Sequence, residues 1–124
     1  MGGRGTYAAG NEVAYRWRTV DVLDGVKVLE PLSGARKLPE EAHTSRAYLL
    51  YDRNGVFRQY REYDENHYLR FEIGYHPERK IDSSRRPVLH VHEYEPDGFP
   101  GRSTRPITQA EVEKYQHLFK GVKL

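Results

Sequence analysis

Cysteine is absent from this chain of 124 residues, and several kinds of chemistry are absent with it. Without thiols the protein forms no disulfides, holds no thiolate metal site and has no cysteine nucleophile. Histidine and the carboxylates are therefore the only good metal ligands that the sequence offers. The serines lie in segments without a glycine frame typical of a nucleophile elbow, and no glycine-rich phosphate loop precedes a helix.

Long apolar runs are missing as well. No stretch approaches the roughly 18 apolar residues that a membrane-spanning helix needs. The glycine-rich start lacks the apolar stretch of a secretory signal peptide. We therefore expect a soluble, cytoplasmic protein that has no membrane partner.

The charge is nearly balanced, with 20 lysine and arginine residues against 18 acidic ones and a formal net charge of +2. This balance permits a phosphate-bearing partner such as RNA without requiring one. The length fits one domain with a single core. Residues 1–11 are so rich in glycine that we expect a flexible arm there, followed by a single domain over residues 12–124.

Alternation of apolar and polar residues predicts a sheet in the middle of the chain. Asn54-Gly55 favours a two-residue type I′ turn, so the segments on either side of it form a hairpin. The predicted strands are residues 46–53, 56–63, 67–75 and 88–94, with shorter extended pieces near 13–17 and 26–29. Residues 31–44 and 95–106 lack any period and are expected to be irregular connections, the first crossing the sheet edge.

A helix is predicted near the C-terminal end. Thr108 and Glu111 form a capping box at its start, and Gly121 ends it after about Lys120. One stripe of this helix is apolar and carries Val112, Tyr115, Leu118 and Phe119. The pattern as a whole predicts an α+β fold, in which a four- to five-stranded curved antiparallel meander carries the C-terminal helix on its apolar face.

The predicted turns set the strand pairing and with it the two faces of the sheet. A two-residue loop at Asn54-Gly55 places Tyr48 opposite Arg61, and a similar loop at residues 65–66 places Arg61 opposite Arg70. The core face then collects Ala47, Leu49, Tyr51, Tyr60, Leu69, Phe71 and Ile73. The opposite face, which we expect to be solvated, collects Tyr48, Arg61, Tyr63, Tyr68, Arg70 and Glu72.

Two histidines on the last predicted strand, His90 and His92, are spaced so that both rings point to one face. With the apolar residues of that strand facing the core, the imidazoles join Arg61 and Arg70 on the solvated face. Two arginines directly opposite each other repel, so an anion between them, Glu72 or a phosphate, is expected. These side chains form the candidate site.

Three uses of the histidine pair stay open from the sequence. The two rings are exposed side chains with no catalytic or binding role, or they act as an acid and a base near a phosphate, or they are two ligands of a metal ion. A metal site needs a third ligand, which Glu72, His76 or His67 would supply. The favoured metal set is His90, His92 and Glu72.

Four groups of short motifs occur along the chain in a consistent order. They are Gly2-Gly3-Arg4-Gly5; Tyr51-Asp52-Arg53-Asn54-Gly55 with Tyr60-Arg61-Glu62-Tyr63-Asp64; His90-Val91-His92; and Thr108 with Glu111. In layout they resemble small phage-encoded and polymorphic-toxin domains of the barnase, EndoU, colicin and RelE-like ribonuclease group. The resemblance covers most of residues 46–120.

This resemblance implies a curved sheet that holds RNA and cleaves it by metal-independent transesterification, with no cofactor. The ribose 2′-hydroxyl would attack the neighbouring phosphate, with His90 and His92 as base and acid. Arg61 and Arg70 would clamp the phosphate. Further substrate contacts are expected from Tyr48, Tyr63 and Tyr68 and from the basic loop residues Arg79, Lys80, Arg85 and Arg86.

Two other functions remain as alternatives. The chain contains 10 tyrosines, which favours an adhesive surface. A non-enzymatic phage or mobile-element accessory protein that binds a protein partner, or forms a homodimer, would use such a surface. The third alternative is a metal-binding protein built on the His-x-His strand.

Overall fold

The computed structural model describes residues 17–32, 37–39, 42, 45–95 and 98–122. The predicted glycine-rich arm over residues 1–11, the domain start at residue 12 and the extended piece near 13–16 lie outside these residues. No helix in the described part of the chain is long and apolar enough to cross a membrane.

Within the described residues, seven strands form one mixed sheet that follows the order of the chain. The strands are β1 (Trp17–Leu23), β2 (Val26–Pro31), β3 (Ala47–Tyr51), β4 (Phe57–Tyr63), β5 (Leu69–His76), β6 (Val88–Glu95) and β7 (Gly98–Pro106). Helix α1 (Gln109–Tyr115) follows them and continues into a 3₁₀ turn, Gln116–Leu118. The prediction of an α+β fold with a curved sheet and a C-terminal helix is confirmed.

The predicted strand count and pure antiparallel pairing are wrong. Strands β2 and β3 run parallel, whereas the other neighbouring pairs are antiparallel. A parallel pair requires a crossover connection, which is the role of the segment between Leu32 and Ala47. The expected irregular loop over residues 95–106 is largely strand β7, whose prolines are tolerated because β7 is the last strand in the sheet order.

The two central hairpins have three-residue loops instead of the predicted two-residue turns. In the first, the Gly55 amide donates to the Asp52 carbonyl (3.0 Å); in the second, the His67 amide donates to the Asp64 carbonyl (2.9 Å). Gly55 and His67 occupy the left-handed region, with φ of 80° and 71°. Since Asn54 lacks a positive φ, Asn54-Gly55 is not a type I′ turn.

In the first hairpin a β-bulge offsets the longer loop, so most of the predicted register is kept, whereas the register of the second hairpin is shifted by two residues. Tyr48 lies opposite Arg61 as predicted, but Arg61 lies opposite Glu72 and not opposite Arg70. A shift between Glu62 and Tyr63 leaves Arg70 as the extra residue of a β-bulge on β5. The predicted arginine pair therefore does not form.

The face of the sheet that carries α1 holds the larger apolar cluster. Its members include Ala47, Leu49, Tyr51, Tyr60, Phe71 and Ile73, as predicted, together with Leu89 and Val91 of β6. The Tyr115 ring lies 5.1 Å from that of Tyr60, and the Phe119 ring 4.9 Å from that of Phe57. These contacts confirm that the helix packs on the apolar face.

The opposite face is also buried, contrary to the prediction of a solvated surface. A second apolar cluster there contains Leu29, Leu38, Ala42, Tyr48, Leu50, Tyr63, Leu69 and Tyr94. Leu69 was expected in the core on the other side, and the bulge at Arg70 moves it to this one. The crossover covers this face: the Leu38 amide donates to Gln59 Oε1 (2.7 Å) and the Ala42 amide to the His67 carbonyl (2.9 Å).

Candidate functional site

The two predicted phosphate-clamping arginines have separate surroundings. Arg61 is buried, donates Nε to Glu72 Oε1 (3.0 Å) and donates Nη1 to the Leu38 carbonyl (2.8 Å). Arg70 instead donates Nε to the Tyr94 carbonyl (3.0 Å), and its Nη1 lies 3.7 Å from Asp64 Oδ2. Because Arg61 is committed to a buried network, the two guanidiniums do not flank a common anion.

His90 and His92 do share one face, as their spacing predicts. They lie opposite Gly74 and Glu72 of β5, so this face is the one that carries Glu72. The rings are not solvated, however: His90 is 0% exposed and His92 3%. Their burial corrects the expectation of an open polar surface.

A third imidazole, from His76 at the end of β5, completes a compact cluster. The ring centroids of His76 and His90 are 4.5 Å apart, and those of His90 and His92 are 4.9 Å apart. One nitrogen from each ring can be chosen so that all lie within 4.8 Å of one another. Among the described residues, these three histidines are the group of metal-ligating side chains that lie close enough together to hold one metal ion.

Hydrogen bonds at Nδ1 orient the rings. His76 Nδ1 donates to the Pro77 carbonyl (2.9 Å) and His90 Nδ1 donates to the Val88 carbonyl (2.8 Å), since a carbonyl oxygen can only accept. A ring that donates from Nδ1 carries no proton on Nε2 in its neutral form. The Nε2 atom of His90 is buried and has no hydrogen-bond partner within the described ranges. His92 is held by a 2.9 Å hydrogen bond between Nδ1 and Thr104 Oγ1.

Gly74 provides the space into which these nitrogens point. A Cβ atom built on Gly74 would lie 3.0 Å from His90 Nε2 and 3.2 Å from His76 Nε2. Any larger residue would therefore fill the gap beside both nitrogens. The absence of a side chain at this position leaves room beside the Nε2 atoms of His90 and His76.

No protein-family model, curated protein or solved structure matches this chain.

Burial affects the protonation of His90 and His92. It lowers the pKa of both His90 and His92 below the usual value for histidine, even though the charge of Glu72 acts in the opposite direction. At neutral pH these two rings are therefore predominantly uncharged. Neutral imidazoles with free Nε2 lone pairs are the form of histidine that binds metal ions.

Glu72, the predicted third metal ligand, lies at the centre of a separate buried network. Its Oε1 accepts from Arg61 Nε (3.0 Å) and from the Tyr94 hydroxyl (3.1 Å), and its Oε2 accepts from Gln59 Nε2 (3.0 Å). Burial by itself raises the pKa of Glu72, but the charges of Arg61 and His92 bring it below its usual range. The geometry thus favours His76 over Glu72 as the third member of a metal set.

The predicted substrate-contacting residues are dispersed. Tyr48 and Tyr63 are buried, each 3% exposed, with ring centroids 5.5 Å apart. Tyr68 is half-buried beside the second hairpin loop. The basic residues Arg79, Lys80, Arg85 and Arg86 are exposed on the loop between β5 and β6. Only this loop adjoins the histidine cluster, through His76 at its start.

Two further residues near the site were not identified from the sequence. Thr104 bonds to His92, and the charge of Arg102 acts on the same ring. Both belong to β7, which was not predicted as a strand because residues 98–106 are rich in proline and glycine. The only available signal was the alternation of Arg102, Thr104 and Pro106 beside a strand already known to carry histidines.

Proposed function

We propose that this protein binds a divalent transition-metal ion through His76, His90 and His92. The observation that carries the proposal is the buried, unpartnered Nε2 of His90, which shares the space above Gly74 with Nε2 of His76. A buried polar atom without a partner is unfavourable by about 1–3 kcal/mol. A metal ion in this space would satisfy it.

The chemistry of the donors defines the class of ion. Imidazole nitrogens suit zinc, copper, iron and nickel, whereas magnesium and calcium prefer oxygen ligands. Nitrogens bound to one zinc ion at about 2.0–2.1 Å lie roughly 3.4 Å apart in tetrahedral geometry. The nitrogens of the cluster lie within 4.8 Å of one another, so the rings would move closer together on binding an ion.

The surroundings of the rings also fit metal binding. Metal-ligating histidines usually donate their second ring N–H to a carbonyl or carboxylate, which fixes the ring and leaves the other nitrogen free. The Pro77 and Val88 carbonyls have this role for His76 and His90. Because burial already lowers the pKa of His90, little free energy is needed to deprotonate it before binding.

The ribonuclease expectation receives less support from the geometry. A general base and acid must reach the ribose and the phosphate, but His90 and His92 are almost fully buried. Arg61 is paired with Glu72 and would have to leave that pair to contact a phosphate. An adhesive tyrosine surface is similarly disfavoured, because Tyr48, Tyr60, Tyr63, Tyr94 and Tyr115 are buried.

Calorimetric titration with Zn²⁺ tests the proposal. We expect one equivalent to bind, with an affinity at least about tenfold weaker in His76→Ala. His117→Ala is the matched control, because His117 is half exposed, pairs with Asp24 at 3.1 Å and lies outside the cluster. Absence of Zn²⁺ binding by the unmodified protein, or equal losses in both variants, would overturn the proposal.

Gly74→Ala provides a second variant that keeps all the ligands. Its Cβ would lie 3.0 Å from His90 Nε2, so we expect Zn²⁺ binding to weaken while the circular dichroism spectrum stays unchanged. In parallel, total RNA is incubated with the protein and a chelator. Cleavage of the RNA under these conditions would favour the ribonuclease function over the metal-binding one.

A further inference from the structure

The first strand of the sheet, β1, has an open edge. Within the described part of the chain it pairs with β2 only, because it is the first strand in the sheet order. Residues 18–22 at its centre are exposed, whereas no residue of β2, β3, β4 or β5 is exposed. Such an edge presents main-chain N–H and C=O groups with which a further strand can pair.

Exposed apolar side chains lie at the same edge. Val20 and Val22 of β1 are 49% and 56% exposed, and Leu32, directly after β2, is 51% exposed. Among the described residues, these are the large hydrophobic side chains that remain exposed. Covering them with a second protein surface is favourable, because it removes apolar area from water. The edge therefore offers both main-chain and side-chain groups for association.

The two edges of the sheet differ in how well they prevent pairing with another strand. Strand β7, at the other edge, contains two prolines, which lack the amide that a neighbouring strand would bind. The sequence of β1, Trp17–Leu23, contains no proline, glycine or lysine. Its pairing with β2 has one irregularity, a β-bulge at Val20 between Thr19 and Asp21. Strand β1 is therefore the edge that accepts a further strand more readily.

Strand β1 is held in place at both of its ends. At its start, the Trp17 indole Nε1 donates to the Lys37 carbonyl (2.9 Å), and the ring packs against the second apolar cluster. In the turn after β1, Asp24 Oδ2 lies 3.1 Å from His117 Nε2. Since these contacts order the strand before a partner arrives, little conformational entropy is lost when the partner binds.

The charges of β1 indicate which partner fits. Arg18 and Asp21 lie opposite Glu30 and Val28, two residues apart on β2, so both side chains point to the same face. In an antiparallel pair of two β1 strands, Arg18 of each copy would lie close to Asp21 of the other. Arg18 already pairs with Glu30 at 2.9 Å, but its side chain is 65% exposed and can reach across the edge. The strand is thus complementary to a second copy of itself.

We propose that two copies of this protein form a symmetric dimer by antiparallel pairing of their β1 strands, which continues the sheet from one copy into the other. Only one strand of each copy takes part, so the interface is smaller than that of a permanent dimer and the association is weak. The proposal does not depend on metal binding, because the histidine cluster lies on β5 and β6.

Sedimentation equilibrium in the presence of a chelator tests the dimer. The apparent mass should rise from that of one chain toward that of two as the concentration approaches about 1 mM, a range in which weak complexes form. Val22→Lys replaces an exposed apolar side chain of the edge with a charge, and it should raise the dissociation constant at least about tenfold. Ala110→Lys is the matched control, since it adds the same charge at an exposed position of α1 and should leave the dissociation constant unchanged.

Exchange of the two charges tests the self-pairing itself. Arg18→Asp and Asp21→Arg are made separately and together in a Glu30→Gln background, which removes the carboxylate that pairs with Arg18 within one chain. Each single exchange places like charges opposite each other and should weaken the dimer, whereas the double exchange should restore it.

Three results would each overturn the proposal. They are a single-chain mass at every concentration, equal dissociation constants for Val22→Lys and Ala110→Lys, and a double exchange no stronger than the weaker single one. Circular dichroism checks that each variant is folded. Because the chelator removes any bound ion, these results are independent of the Zn²⁺ titration.

Discussion

At the scale of single residues, the most buried ion pair among the described residues joins Arg61 to Glu72 across β4 and β5. The side chains are 9% and 4% exposed, and Arg61 Nη2 lies 3.0 Å from Glu72 Oε1. Removing two charges from water is unfavourable unless their remaining hydrogen-bonding groups are also satisfied. Here the Leu38 carbonyl, the Tyr94 hydroxyl and Gln59 satisfy them. The pair therefore holds the crossover segment against the sheet.

Glu72→Gln should strongly destabilise the protein. The substitution leaves the buried Arg61 charge without its partner, a loss of about 3–5 kcal/mol in the free energy of unfolding. Glu30→Gln is the control: it breaks an ion pair with Arg18 at 2.9 Å whose side chains are 42% and 65% exposed, so about 0–1 kcal/mol is expected. Urea denaturation of both variants measures the difference. Equal losses would contradict a special role for the buried pair.

Sequence reasoning did assign Arg61 and Glu72 to one face, and that assignment is correct. The sequence suggested Glu72 as one of two anions that could lie between Arg61 and Arg70. The three-residue loop and the bulge at Arg70 together shift β5 by two residues, so Glu72 lies directly opposite Arg61 and Arg70 does not. Burial of the pair depends on Leu38, which lies 23 residues before Arg61 in the chain. No local pattern contains that information.

At the scale of elements, the two central hairpin loops have the same construction from different residues. Each begins with an aspartate whose Oδ1 accepts from backbone amides: from Val56 (3.0 Å) in the first loop and from Tyr68 (3.1 Å) in the second. The position that needs a positive φ is Gly55 in the first loop and His67 in the second. A side chain in the left-handed region is unfavourable relative to glycine.

His67→Gly should consequently raise the free energy of unfolding, by up to about 1 kcal/mol. Gly55→Ala makes the opposite change, because it adds a Cβ atom to a residue with a positive φ. That Cβ would contact nothing within 4 Å, so only the backbone conformation disfavours the substitution. It should lower stability by about 1 kcal/mol. Thermal unfolding of the two variants should shift in opposite directions. A destabilised His67→Gly would show that the contacts of the His67 ring outweigh its backbone conformation.

Helix α1 illustrates an element whose start the sequence specified completely. The predicted capping box is present: the Thr108 hydroxyl accepts from the Glu111 amide (3.1 Å), and the Glu111 carboxylate accepts from the Thr108 amide (3.0 Å). The capping interactions involve residues three apart, so they can be read from the sequence without knowledge of the fold. The predicted end of the helix near Lys120 is wrong, because α1 ends at Tyr115 and the 3₁₀ turn ends at Leu118, before Gly121.

At the scale of the whole molecule, the free energy of unfolding depends on pH through two sets of groups, the buried histidines and the hydrogen-bonded carboxylates. Burial lowers the pKa of His90 and His92. Below about pH 6.5 the unfolded chain therefore takes up protons at these residues that the folded chain does not. Hydrogen bonding to Arg105 lowers the pKa of Glu111 to about 2, so its contribution to stability decreases as the pH falls below about 4.5 and is lost near pH 2.

The free energy of unfolding should therefore fall as the pH decreases from about 6.5, by at most about 1.4 kcal/mol per pH unit for each of the two histidines. Below about pH 4.5, protonation of Glu72 adds a second loss, since its pKa is lowered in the folded state. Urea midpoints measured from pH 8 to pH 4 provide the test. A midpoint that is constant between pH 7 and pH 5 would contradict the burial of neutral imidazoles.

The sequence by itself determined the parts of this protein that depend on neighbouring residues. Alternation identified the strands from β3 to β6, placed His90 and His92 on one face and named most of the core face, because side chains alternate along any strand. Local hydrogen bonding identified the start of the helix at Thr108.

Only the tertiary structure decided the strand register, the burial of the second face of the sheet and the composition of the histidine cluster. The bulge at Arg70 moved Leu69 to the second face, and the crossover buried a surface that alternation alone presents as polar. His76 joined His90 because β5 and β6 pair across a loop whose length does not fix their register. Such outcomes depend on contacts between residues far apart in the chain, and their free energies appear only when the sheet is assembled.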